Sequence, residues 1–482
     1  MNGFWKIALA FTTCVVSVGC SEDDNSNTTK TCDGEGPATY AFFDAACAST
    51  VAYGGQTARH TLIHELTGYM ERAEGRIDSG AWFPQQGEVV GGLDFYFRFD
   101  SETSAGEPLS IETTPAALQT TYEPFGSGKD LVSKLAGNDS VTDHKDWSTE
   151  FRGWSDATFA ATGGIASPEQ LVSALFANFE KAAVDRANGV VAQDPDGNDL
   201  PLHVTAEGRD LLELSEKFLL VAVAFSQGAD DYLDDDIDGK GLLSSNTELE
   251  DGEAYTTLAH AWDEGFGYFG AARDYPDYTD ADIADVGHKD SDGDGKIDLQ
   301  SEYVFGAASA AAKRDLAAQK LGVTIDLTGD AWAGFYGGRA LIANTSGDLS
   351  DAQLTELKAF RDQAISAWER AYMATVIHYM NRTLAQMAAF GTPDYDFATH
   401  AKVWSEAKGY GFTPQFNPRS PMSDADFLAL HEALGDRPVL ATADAAQIES
   451  YTNALIAARA KIAEIYAFQA ELIGDENGAN GW

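Results

Sequence analysis

The chain predicts an all-α fold: a large helical bundle built from two related halves, with a calcium-type loop between helices. Three observations carry this. Alanine-rich segments with apolar residues at helical spacing dominate the 482 residues, and strand-like alternation is scarce. The stretch Leu258-Ala-His260-Ala-Trp262-Asp263-Glu264-Gly-Phe-Gly267-Tyr268 returns as His400-Ala-Lys402-Val-Trp404-Ser405-Glu406-Ala-Lys-Gly409-Tyr410, with Trp, Glu, Gly and Tyr at the same offsets. Between the two, Asp290-Ser-Asp292-Gly-Asp294-Gly295-Lys296-Ile-Asp298 has the spacing of a calcium loop.

Taken in order, the N-terminus reads as a processing segment. Lys6 precedes an apolar run from Ile7 to Val18, too short to span a bilayer, which ends Val16-Ser17-Val18-Gly19-Cys20. This resembles a bacterial lipoprotein signal, with an ordinary secretory signal as the alternative. Residues 1–19 are then the signal peptide, Cys20 carries the lipid, and 20–34 form a polar tether. By the same resemblance, Ser21 after the cysteine favours anchoring in the outer membrane, on its periplasmic or surface face. Of the 4 cysteines, Cys14 falls in the signal, leaving Cys32 and Cys47 for a disulfide in an oxidising compartment. One helical domain is expected over 35–482.

Helices are expected over about 55–73, 168–190, 206–233, 249–268, 300–321, 350–390, 395–408, 424–434 and 443–473. Thr205 is the expected N-cap of the helix over 206–233. Leu93-Asp-Phe-Tyr-Phe-Arg-Phe99 is the best strand candidate, with a core helix turn as the alternative. The acidic run Asp230–Asp238 reads as a solvated loop.

The formal net charge of −44 excludes nucleic acid as a natural partner, because phosphates would be repelled. Gly265-Phe-Gly267-Tyr-Phe-Gly270 fits a dinucleotide fingerprint by letter but follows a helix rather than a strand, so it carries no such function. No Gly-x-Ser-x-Gly elbow or spaced catalytic triad is present. The chain therefore reads as a binding protein rather than an enzyme.

Two metal sites are expected. On one helix His260 and Glu264 share a face, with Asp263 beside them. With Glu406 from the second half they would line a site between Trp262 and Trp404. One imidazole among carboxylates suits iron or a similar transition metal. Lys402 would pair with Glu264 or Glu406 and compete with that ion. In the loop, Asp290, Asp292, Asp294, Asp298 and the Lys296 carbonyl would hold calcium, Gly295 would make the sharp turn, and Glu302 would close the site one place late.

Gly55-Gln56-Thr57-Ala-Arg59, Ser133-Lys-Leu-Ala-Gly137-Asn, Trp262-Asp-Glu-Gly-Phe-Gly-Tyr268, Asp294-Gly-Lys-Ile-Asp-Leu-Gln-Ser-Glu-Tyr-Val-Phe-Gly306 and Ala311-Ala-Lys-Arg-Asp315 resemble the family called domain of unknown function 4856. The resemblance covers about 35–475. That family is similar to the imelysins, all-helical envelope proteins with an H-x-x-E motif that are associated with iron uptake. It implies a two-fold helical bundle and a lipoprotein that takes up a metal ion or a small iron-bearing ligand. His260-Ala-Trp-Asp263 departs from H-x-x-E, with Asp for Glu and Glu264 one place later. The other reading is a non-enzymatic, calcium-stiffened scaffold that docks an envelope partner such as a transporter. An exposed apolar patch away from the repeat would favour it.

Overall fold

The computed structural model describes residues 39–482 apart from 127, 140–143 and 162. The expected signal, the tether, Cys20 and Cys32 lie outside the described residues, while Cys47 is held in a disulfide. Among the described residues there are thirteen α-helices, and strand-like pairing is confined to isolated bridges. The helices are α1 (Gly54–Asp78), α2 (Glu88–Phe97), α3 (Ser101–Ser104), α4 (Pro168–Ala187), α5 (Leu211–Leu219), α6 (Thr257–Phe269), α7 (Asp280–Asp285), α8 (Gly306–Lys320), α9 (Leu327–Asn344), α10 (Asp351–Ala388), α11 (Phe397–Tyr410), α12 (Asp424–Leu434) and α13 (Ala445–Ile465). None is long and apolar enough to cross a membrane among the described residues.

The longest helix is the centre of the packing. α10 has 38 residues and starts at a capping box, in which the Ser350 hydroxyl takes the Gln353 N–H and the Gln353 side chain reaches back to the Ser350 backbone. It packs on α8, α9, α11 and α13. Its Trp368, Tyr372, Met373 and Ile377 are fully buried. On the other side α1 packs on α2, α4, α5 and α6, and α11 lies on α5. One hydrophobic cluster runs through these layers from Tyr40 to Trp482. Each repeat helix therefore rests on an earlier helix, α6 on α1 and α11 on α5.

Four local expectations change. Residues 93–97 of the strand candidate close helix α2, the helical alternative, and 98–99 lie beyond it. Val89, Leu93 and Phe97, four apart, are buried together, and α2 packs on α1 and α4. Gly208, at φ +81°, turns the chain before α5, so Asp210 replaces Thr205 as the cap and accepts the Leu212 and Glu213 N–H groups. Beyond α5 the chain winds into wider π turns over Leu220–Phe225 and Gln227–Tyr232.

The acidic run is a solvated loop only at its far end, where Asp236 and Asp238 are exposed. Asp230 and Asp234 are buried, and Asp230 binds the His144 ring at 2.7 Å. Asp234 pairs with Arg419, and Asp235 pairs with both Lys358 and Arg361 at 2.6 Å. The carboxylates anchor basic side chains from distant segments.

The fourth change is α9, for which the sequence raised no expectation. Its Gly329, Gly334, Gly337 and Gly338 depress helix propensity. They are there for proximity. A Cβ on Gly334 would lie 2.6 Å from the Ala364 nitrogen of α10, and one on Gly338 would lie 2.0 Å from Cζ2 of Trp262.

Candidate functional site

The two repeat helices use their shared residues alike. Trp262 and Trp404 are fully buried, and each indole donates to a backbone carbonyl of a later helix: Phe335 at 2.8 Å and Leu434 at 3.0 Å. Both tryptophans are core residues. Gly267 and Gly409 admit the neighbouring helix, since a Cβ would come within 2.6 Å of Tyr53 and of Lys217 respectively. The conserved offsets thus place a glutamate and a tyrosine of each helix against a basic group of its partner.

In the first half, Glu264 accepts Gln56 Nε2 at 2.8 Å. His260 Nε2 stands 3.7 Å from the same oxygen, and its Nδ1 faces Glu250 at 3.8 Å. The two carboxylates flank opposite edges of the imidazole, so they do not converge on one point. Arg59 is buried nearby and donates to the carbonyls of Asp130 at 2.8 Å and Gly55 at 3.3 Å. Burial would lower its guanidinium, but Tyr268, Tyr232 and Glu264 hold it above its ordinary value. Lys129 is lowered by burial and by Arg59. Asp263 turns away into the core. Its oxygens accept Tyr40 Oη at 2.8 Å, Arg339 Nε at 2.8 Å and the Ala52 N–H at 3.2 Å.

In the second half, Glu406 is buried against Lys217 and Tyr379. Burial first, then Glu213, raises its carboxyl against the pull of Lys217. Lys402 pairs with Glu213 at 2.8 Å, not with Glu264 or Glu406. Lys217 sits between Glu213 at 3.0 Å and Glu216 at 2.7 Å. His378, the spare imidazole of the long helix, is pushed down to about 3 by burial and by Arg314.

The four expected transition-metal ligands are therefore divided among three places: His260 with Glu264, Asp263 with Arg339, and Glu406 with Lys217. Arg59, Lys129 and Lys217 supply the positive charge that a metal ion would have brought, and like charge disfavours a second cation. These basic residues were missed because Arg59 and Lys217 look like ordinary polar residues of a helix and Lys129 like one of a loop. The signal was Arg59 within Gly55–Arg59, a basic side chain in a segment that becomes buried.

The loop behaves differently. Asp290, Asp292 and Asp294 offer oxygens that lie within 4.8 Å of one another. Gly295 has φ +82°, which permits the turn. Asp298 and Glu302 are engaged elsewhere. Asp298 accepts Gln119 Nε2 at 2.6 Å and the Ser301 hydroxyl at 2.7 Å. Buried Glu302 accepts the N–H groups of Ser291 at 2.8 Å, Asp292 at 3.2 Å and Asp298 at 2.8 Å. It closes the loop by gathering backbone donors rather than by standing free for an ion. Lys296 is exposed, and its N–H goes to Asp294 at 2.7 Å. Ile297 exchanges backbone bonds with Ala116 and Leu118 at 3.1 and 2.8 Å, tying the loop to the 108–121 segment.

Away from both places lies an open groove of about 1320 Å³ between α12 and α13. Ala429, Leu430, Ala433, Ala454, Ala458 and Ile462 line it, and Asp426, Glu432, Arg437 and Lys461 stand among its polar residues.

The family model for the domain of unknown function DUF4856 matches residues 139–412, and the chain belongs to that family. No curated protein and no solved structure matches the chain.

Proposed function

We propose that this DUF4856 protein is a non-enzymatic binding protein of the bacterial cell envelope, anchored through Cys20 and stiffened by calcium, that docks a helical apolar segment of an envelope partner. The observation that carries the reading is the α12–α13 groove. Its alanines would let a partner helix approach closely, with larger apolar side chains on the floor and charges at the edge to set register. Capture of iron or another transition metal at the repeat helices draws no support from the geometry, since the expected ligands do not meet.

The test places a photo-crosslinking residue at exposed Ala457 in cells. A discrete protein adduct is expected, and Ala454→Glu/Ala458→Glu is expected to abolish it while thermal unfolding stays within a few degrees of wild type. An adduct pattern indifferent to the two glutamates would refute docking in the groove.

Calcium is proposed for the loop on the convergence of Asp290, Asp292 and Asp294. Asp274, which has both carboxylate oxygens buried and the Ser291 hydroxyl as a polar neighbour, adds support. The ion would fix the entry to α8. Adding calcium to chelator-stripped protein is expected to raise stability by about 2.7 kcal/mol at a hundredfold excess over Kd. Asp290→Asn/Asp292→Asn should remove the increase. An unfolding curve unmoved by calcium would show that the loop holds its shape through Glu302 alone.

A further inference from the structure

Six arginines are buried among the described residues: Arg59, Arg209, Arg314, Arg339, Arg361 and Arg459. Five of them have acceptors. Arg209, Arg339 and Arg361 pair with Asp156, Asp263 and Asp235. Arg59 donates to two carbonyls, and Arg459 to Asn381 and the Asp475 carbonyl. Arg314 is the exception. It is 8% exposed, and its Nε and Nη1 are buried with no acceptor. Scarcity of carboxylates does not explain this, in a chain with 76 acidic and 32 basic residues.

The groups that surround Arg314 come from α10 and α11. The arginine lies on α8, which packs against α10. Its carbonyl takes the Trp482 indole N–H at 3.0 Å, which fixes that turn of the helix. Tyr379, Tyr410 and Glu406 are the groups that act on the guanidinium. Exposed Lys313 stands beside it in sequence, and Tyr379 is half-buried. Glu406 is close enough to be felt but forms no ion pair with Arg314. Its charge is opposed by Lys217, and its Oε2 likewise lacks a donor. A buried, unpaired guanidinium is costly, and a planar fork of donors matches an oxyanion.

We infer that a small oxyanion binds at Arg314, with its guanidinium as the buried fork and Lys313 as the rim cation. The shared chemistry is a carboxylate or a phosphate group carried by a small molecule. The inference is independent of the α12–α13 groove.

The purified chain would be titrated with sodium phosphate and, separately, with sodium succinate. Ionic strength would be held constant with chloride, and thermal unfolding would be read. A rising melting temperature is expected with at least one of the two, and which one acts at lower concentration identifies the group. Arg314→Met relieves a buried unpaired charge, so it should fold at least as well as wild type in chloride and lose the rise. Lys313→Met, on the exposed rim, should keep the rise with affinity weakened by up to about tenfold. No rise with either anion, or a rise of equal size in Arg314→Met, would overturn the assignment.

Discussion

Asp263→Ala is expected to cost about 3–5 kcal/mol of folding stability, among the largest effects of any single change in this protein. The pair it breaks is fully inside: Asp263 is 0% exposed and Arg339 1%. Arg339 is not mobile enough to find another partner. Its Nε is on Asp263, its Nη2 is on the Thr50 carbonyl at 2.8 Å and hydroxyl at 3.0 Å, and the Phe42 ring lies 4.6 Å beneath it. Removing the carboxylate strands the guanidinium and also leaves the Tyr40 hydroxyl and the Ala52 N–H without their acceptor. Asp263→Asn keeps an acceptor but not the charge and should fall between. Asp263→Leu/Arg339→Met removes both charges and should recover most of the loss, because a buried pair contributes little beyond a well-packed apolar one. Urea unfolding at neutral pH reads all three variants. A loss below about 1 kcal/mol for Asp263→Ala would mean that water reaches the pair.

The second large effect is at Trp262. Trp262→Ala is expected to cost about 3–5 kcal/mol, as the truncation of a fully buried indole does. The contact with α9 makes the prediction more specific. Gly338→Ala should destabilise by about 1–3 kcal/mol, because its methyl would occupy the space of the indole edge. Adding Trp262→Phe to Gly338→Ala makes room and should be less damaging than the sum of the two single changes, although it gives up the 2.8 Å bond to the Phe335 carbonyl. If the two changes simply add, the helices adjust by moving apart and the close approach is not a constraint.

These two sites show what was legible in the sequence. The all-helical class and the positions of α1, α4, α10, α11 and α12 follow from apolar spacing and capping residues, which are local signals, while α6 starts eight residues later than expected. The recurrence of Trp, Glu, Gly and Tyr marked two helices whose shared Trp and Gly pack alike. The meaning given to it went astray: one imidazole and three carboxylates near two tryptophans look like a metal centre when their basic partners are far away in sequence. Arg339 lies 76 residues from Asp263, and Lys217 comes from a different helix than Glu406. Such pairings are decided by tertiary packing and leave no mark within a window. The same holds for α9, where glycines that argue against a helix in isolation are what lets one sit between Trp262 and α10. In the calcium-type loop the acidic spacing was readable, but the diversion of Glu302 to backbone donors was not.

Among the described residues, eight of the chain's 32 basic side chains are buried, as guanidinium or ammonium groups at internal junctions. The solvent-facing shell is left with few cations against a great excess of carboxylates. Any small anion approaching from solution crosses a repulsive field before it meets a positive group. Its association should therefore speed up as salt screens that field, the reverse of the usual behaviour at an oppositely charged surface, with the steepest change where the Debye length falls below about 10 Å. Divalent cations experience the opposite field and would collect at this surface, so a protein of this kind carries a diffuse cation cloud whatever its individual sites hold.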